Sequence, residues 1–112
     1  MTVTTRDKLL GSIEEPLGLN LTATGRLFGV SRQAIESWHV SGVPARRQEK
    51  AATVAAIADL LARRLKPERL PGIARRPADA YGGLTLLQMI EDDRHLELLA
   101  IVRASFDWTQ TA

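Results

Sequence analysis

The chain contains no cysteine, so it can form neither a disulfide framework nor a thiolate metal site, a composition suited to a reducing compartment. Aromatic residues are scarce, at 4% of the sequence. Alanine and leucine supply most of the apolar surface instead, which favours helices over sheet. Long apolar runs are missing too. The longest uncharged stretch, Ala80 to Ile90, is 11 residues, well short of the ~20 that a membrane helix needs. The opening segment MTVTTRDKLL lacks the apolar core of a signal peptide. Together these absences predict a soluble, cytoplasmic protein. Catalytic equipment is thin as well: His39 and His95 stand far apart, no thiol nucleophile exists, and no G-x-x-x-x-G-K phosphate loop occurs. With no recognisable pairing of nucleophile and base, neither an enzyme nor a cofactor is expected. The acidic run Glu91, Asp92 and Asp93, with His95 nearby, occupies backbone positions too close in sequence to converge easily on one ion. A helix beginning at Asp92 and Asp93 explains the two aspartates without a metal.

What is present is an ordinary globular composition, 45% hydrophobic and 25% charged over 112 residues, enough for one compact domain with a modest core. The net charge of +2 is spread unevenly. Residues 1–40 hold four Lys/Arg against four Asp/Glu, residues 41–80 nine against four, and residues 81–112 two against five. A basic middle suits a phosphate-facing surface, and an acidic end suits a protein partner.

Residues 21–40, LTATGRLFGVSRQAIESWHV, are the most informative stretch. They read as two short helices meeting at an elbow on Gly29 and Val30, where glycine tolerates a positive φ. Leu27 and Phe28 supply apolar contacts, and Gly25 lets a second helix cross closely. Ser31 falls where an N-cap belongs, and Ala34, Ile35 and Trp38 face inward from the second helix. Its outer face then presents Arg32, Gln33, Glu36 and Ser37, side chains able to hydrogen-bond base edges, as in a helix-turn-helix whose second helix enters the major groove. Thr22, Arg26 and Ser31 on the flank, and Arg46 and Arg47 at the start of the next helix, are candidate phosphate contacts. The same stretch reads alternatively as a plain helical hairpin with a polar face. His39 is expected at a phosphate or in water.

Around this unit the pattern predicts an all-α protein. Thr4 or Thr5 caps a first helix that runs to about Glu15 and ends at Pro16-Leu17-Gly18, with Leu9, Leu10 and Ile13 as its stripe. A long helix from about Ala45 to Leu65 repeats Ala51, Val54, Ile57, Ala58, Leu61 and Leu65, leaving Arg47, Lys50, Arg63, Arg64 and Lys66 outside. Residues 1–66 thus form a four-helix DNA-binding part. Prolines and glycines make 67–83 an extended, proline-rich connector, with one short turn near Ile73. Residues 84–112 form a two-helix C-terminal part, opened by a Thr85–Gln88 capping box and closed by a helix with Leu96, Leu99, Val102 and Phe106 as its apolar stripe.

The spacing Gly25, Gly29, Ile35, Trp38 resembles the helix-turn-helix of phage repressors and Xre-type regulators. Gly25 stands where alanine is commoner, and Thr24 where an aliphatic is. The run Arg76-Pro77, then Tyr81 to Ile90, a charged turn and a helix from His95 to Phe106 resembles the C-terminal module of Xre/MbcA/ParS-type antitoxins. That resemblance implies a cytoplasmic antitoxin covering the active site of a RES-type, NAD-consuming toxin, with Tyr81, Phe106 and Trp108 as partner-binding residues. It further implies a homodimer that binds double-stranded DNA and represses its own operon. One recognition helix offers few base contacts, so a dimer on half-sites about one helical turn (~34 Å) apart is expected. A stand-alone repressor of other genes and a protein-interaction adaptor remain alternatives.

Overall fold

The computed structural model describes the backbone of residues 8–111 and the side chains of residues 8–106. Among these residues every regular element is helical: α1 (Lys8–Leu17), α2 (Leu21–Phe28), α3 (Arg32–Ser41), α4 (Ala45–Arg64), α5 (Leu70–Ala74), a single 3-10 turn (Asp79–Tyr81), α6 (Leu86–Glu91) and α7 (His95–Thr111). The cap expected at Thr4 or Thr5 lies outside the described residues.

α1 buries Leu10, Ile13 and Leu17 against α4. It continues two residues past the expected stop at Glu15. Pro16 forfeits one amide hydrogen bond, but the burial of Leu17 holds the last turn. Gly18, at φ +66°, then closes it, with the Leu19 amide donating to the Glu14 carbonyl at 2.9 Å. α4 buries Ala51, Val54, Ile57, Ala58 and Leu61, as the 3.6-residue period predicts. Lys50 departs from expectation: it is buried, at 8% exposure.

The segment after α4 is not extended throughout: the short turn expected near Ile73 is the helix α5. Leu70 and Ala74 of α5 are fully buried and pack toward α1. The Arg75 guanidinium clamps the two helices together by donating to the carbonyls of Leu17 and Gly18 at 2.9 Å each, and to that of Pro71 at 2.7 Å. α6 opens on the expected capping box, with Thr85 and Gln88 each bonding the other's backbone amide.

The helix start expected at Asp92 and Asp93 falls instead at His95. Asp92 is the C-cap of α6, and Asp93 takes a left-handed φ of +60° in the turn. The buried face of α7 also differs from the expected stripe. His95, Leu98 and Val102 are buried while Leu96 is 59% exposed, so Leu96 is not part of the stripe. α6 packs on α2 and α7 on α4, and one cluster of buried side chains runs from Leu10 to Val102.

Candidate nucleic-acid interface

α2 and α3 each begin at a side-chain cap, and a left-handed glycine closes α2 between them. Asn20 caps α2, its side-chain oxygen accepting from the Ala23 amide at 2.8 Å. The hydroxyl of buried Thr24 donates to the Asn20 carbonyl at 2.8 Å. That internal bond lets a polar residue take the place of an aliphatic one. At the other end Gly29, φ +68°, turns the chain, and the amides of Gly29 and Val30 donate to the carbonyls of Arg26 and Gly25, a Schellman arrangement. The two carbonyls left over are met by α4. Lys50 Nζ donates to the Leu27 carbonyl and Arg47 Nη1 to the Phe28 carbonyl, each at 2.6 Å.

Lys50 makes a further bond of 2.6 Å to the Asp93 carboxylate and lies 5.5 Å from the centre of the Phe28 ring. The hydrogen bond from Lys50, then its positive charge, hold the Asp93 carboxyl below the usual carboxylate range. Phe28 in turn meets Trp38 edge to face at 5.5 Å. The elbow is therefore fixed from α4 and from the α6–α7 turn as well as from within.

Ser31 caps α3, its hydroxyl oxygen accepting from the Ala34 amide at 3.1 Å. Ile35 and Trp38 are buried, whereas Arg32, Gln33, Glu36 and Ser37 are exposed. The four base-reading candidates thus share the outward side of one helix. Arg32 and Glu36 approach to 3.7 Å across an exposed turn, a contact weak enough to open for another partner.

The phosphate candidates divide. Thr22 and Arg32 border one shallow hollow beside Asn20 and Leu21. Arg46 and Arg47 border another with Lys50, Asp93 and His95. Arg46 is exposed; Arg47 is half-buried and has one donor committed to Phe28. Arg26 is exposed, but it lines the groove between α2 and α6 rather than either of these hollows.

His39 is neither at the surface nor in water. It is buried, and its Nε2 lies 2.9 and 3.1 Å from the two carboxylate oxygens of Glu14. A carboxylate can only accept, so Nε2 carries the proton and donates. This bond ties α3 to α1. In the run Glu91 to His95, Asp92 is the C-cap of α6, Asp93 bonds Lys50, and the buried His95 ring stands 3.6 Å from Glu49 through Nε2 while its Nδ1 has no hydrogen-bond partner among the described residues.

The partner-binding candidates sit on separate elements. Tyr81, in the 3-10 turn, is half-buried, and burial raises the pKa of its hydroxyl. Phe106, on α7, is half-buried with the Arg64 guanidinium 5.1 Å from its ring centre. The side chain of Trp108 lies outside the described residues.

Sequence reasoning missed Asn20, Lys50 and the His39–Glu14 pair. Lys50 was detectable: with Val54, Ile57, Ala58 and Leu61 it falls in phase with the apolar stripe.

No protein-family pattern matches this sequence, and no curated protein matches it either. The fold, however, is shared with a chain in the crystal structure of the M. tuberculosis MbcT–MbcA toxin–antitoxin complex. The match has a TM-score of 0.70 at 22% sequence identity and covers 86% of this chain and 87% of that one. No described helix is long and apolar enough to cross a membrane.

Proposed function

We propose that the chain is a DNA-binding antitoxin. The observation that carries this reading is the extent of the shared fold. It runs through most of both chains, and so takes in far more than a helical hairpin of the kind many proteins contain. The partner is a protein toxin of the RES type implied by the sequence resemblance, met by the C-terminal part of the chain through Tyr81, Phe106 and Trp108. The acidic balance of residues 81–112 suits that role.

The DNA-binding half rests on α2 and α3 acting as a helix-turn-helix. Arg32, Gln33, Glu36 and Ser37 face outward together, and between residues 16 and 48 the chain has four arginines and a single acid, Glu36. Arg32 and Gln33, at the start of α3, reach base edges, Arg to guanine and Gln to adenine. Thr22, Arg26, Ser31, Arg46 and Arg47 hold phosphates. The chain acts as a homodimer in the cytoplasm and represses its own transcription.

Two measurements test this. The first is fluorescence anisotropy with the DNA upstream of the chain's own gene against a scrambled duplex, across a salt series. A preference of ~10³ or more supports a specific regulator, and equal weak binding to both refutes autorepression. The second is co-expression with the protein encoded next to it. Restored growth and restored NAD levels support the antitoxin role. If the neighbour is harmless alone, or stays toxic in the chain's presence, that pairing is wrong and the stand-alone repressor becomes the better reading.

A further inference from the structure

Val40 is 81% exposed, and Val40 and Leu96 are the exposed large hydrophobic residues among those described. Its place on α3 is specific. It follows Gln33 by seven residues, so two helical turns bring it almost into line with Gln33, between the rows of Glu36 and Ser37. The residue most central to the outward face, directly opposite buried Ile35 and Trp38, is therefore a branched aliphatic amid hydrogen-bonding side chains.

We infer that Val40 is a base-reading residue that packs against the C5-methyl group of a thymine in the major groove. The inference rests on the DNA-binding reading above and adds one specific contact to it. An isopropyl group offers no donor or acceptor to a base edge. Thymine is the one base that presents a methyl there, and covering both removes apolar surface from water. The surroundings favour a polyanion over a protein as the occupant of this face. Arg32 is exposed on α3 itself and Arg46 at the start of α4, and Glu36 is the one acid between residues 16 and 48.

The test starts by selecting the preferred duplex from a random library with the full chain. Each thymine is then replaced singly by deoxyuridine, which removes the methyl alone, and binding of the parent and of Val40→Ala is measured. The parent should lose affinity by roughly 3- to 10-fold at one thymine per half-site, the scale of burying one or two apolar carbons. Val40→Ala should bind the unmodified duplex more weakly by a similar factor and be indifferent to deoxyuridine at that thymine alone. The inference is overturned if Val40→Ala keeps the parent's sensitivity at every thymine, or if no thymine matters to the parent. A library that returns no preferred sequence overturns the DNA-binding reading itself, and the Val40 contact with it.

Discussion

Two helical glycines in this chain should respond in opposite ways to the same substitution. Alanine is favoured over glycine in a helix interior by about 1 kcal/mol, so propensity alone predicts that both Gly11→Ala and Gly25→Ala stabilise. Gly11, in α1, has no atom within 4 Å of where its Cβ would be placed. At Gly25 that Cβ would stand 2.5 Å from the Val30 carbonyl oxygen, with the Ser31 carbonyl oxygen and carbon at 3.2 and 3.3 Å. Ordinary contact starts near 3.4 Å, so the Val30 carbonyl would have to retreat by ~0.9 Å. It cannot do so freely, because the Val30 amide is bonded to Gly25 itself at 2.9 Å and the neighbouring carbonyls of Leu27 and Phe28 are held from α4. Overpacking against such surroundings costs about 1–3 kcal/mol, which outweighs the propensity gain. We expect Gly25→Ala to destabilise by up to ~2 kcal/mol net, and Gly11→Ala to stabilise by up to ~1 kcal/mol. Urea denaturation followed by tryptophan fluorescence measures both, Trp38 being packed against Phe28 at the elbow. A Gly25→Ala protein as stable as the parent, with Gly11→Ala unchanged or better, would refute the claim that this elbow is rigid. It would equally show that alanine, commoner at this position in similar motifs, fits here too.

Asp93→Asn keeps a residue tolerant of the left-handed φ and removes only the charge facing Lys50. Because the folded protein depresses the Asp93 pKa, the ion pair stabilises the fold at neutral pH, and this contribution is lost as pH falls from ~4 toward the folded value. With the Asp93 side chain 76% exposed, solvent screening limits the effect to about 1 kcal/mol or less. Parent and variant should therefore differ in urea midpoint at pH 7 and converge at the acid end; a constant gap across pH would show that the charge is irrelevant. Arg32→Ala or Gln33→Ala should relax sequence preference at one base position, by ~1–3 kcal/mol for each lost bidentate pair; unchanged preference in a mutated-duplex binding series would mean α3 does not read bases. Arg46→Ala should weaken all duplexes alike and reduce the salt slope by about one, leaving the urea midpoint near the parent's. Arg47→Ala should also lower stability, by ~1–2 kcal/mol, because it deprives the Phe28 carbonyl of a charged donor.

The elements whose signals are local were the ones the sequence revealed. Ser31 before Ala34, Ile35 and Trp38 states a cap and a buried face within one turn, and Thr85 with Gln88 states a complete capping box. The long α4 repeats its period often enough to fix its phase. α5 has no such signal: five residues including Pro71 and Gly72 would not form a helix alone. It exists because Leu70 and Ala74 find the core and Arg75 reaches carbonyls 57 and 58 positions away in sequence, none of which is legible locally. α7 failed for a different reason. Leu96, Leu98, Leu99, Ile101 and Val102 are apolar almost all round the helix, so several stripes fit equally well. The choice fell to the packing of α7 on α4, which buries Leu98 and Val102 and leaves Leu96 outside.

The basic residues near the elbow show a deeper ambiguity. A phosphate oxygen and a helix-terminal carbonyl oxygen ask for the same thing, a cationic N–H donor, so an arginine or lysine beside a helix-turn-helix pattern suits either. Sequence alone reads Arg46, Arg47 and Lys50 as three similar cations at the start of one helix. Their positions on α4 separate them: Arg46 points outward, Arg47 stands at the edge with one donor on Phe28, and Lys50 is in phase with Val54 and Leu61 and is buried. Lys50 thus joins three segments that the sequence divides between two parts, bonding Leu27 at the elbow and Asp93 between α6 and α7. The elbow that leads into α3 is consequently tied to the C-terminal helices as well as to α4, through the Lys50 ammonium and through the packing of α6 on α2.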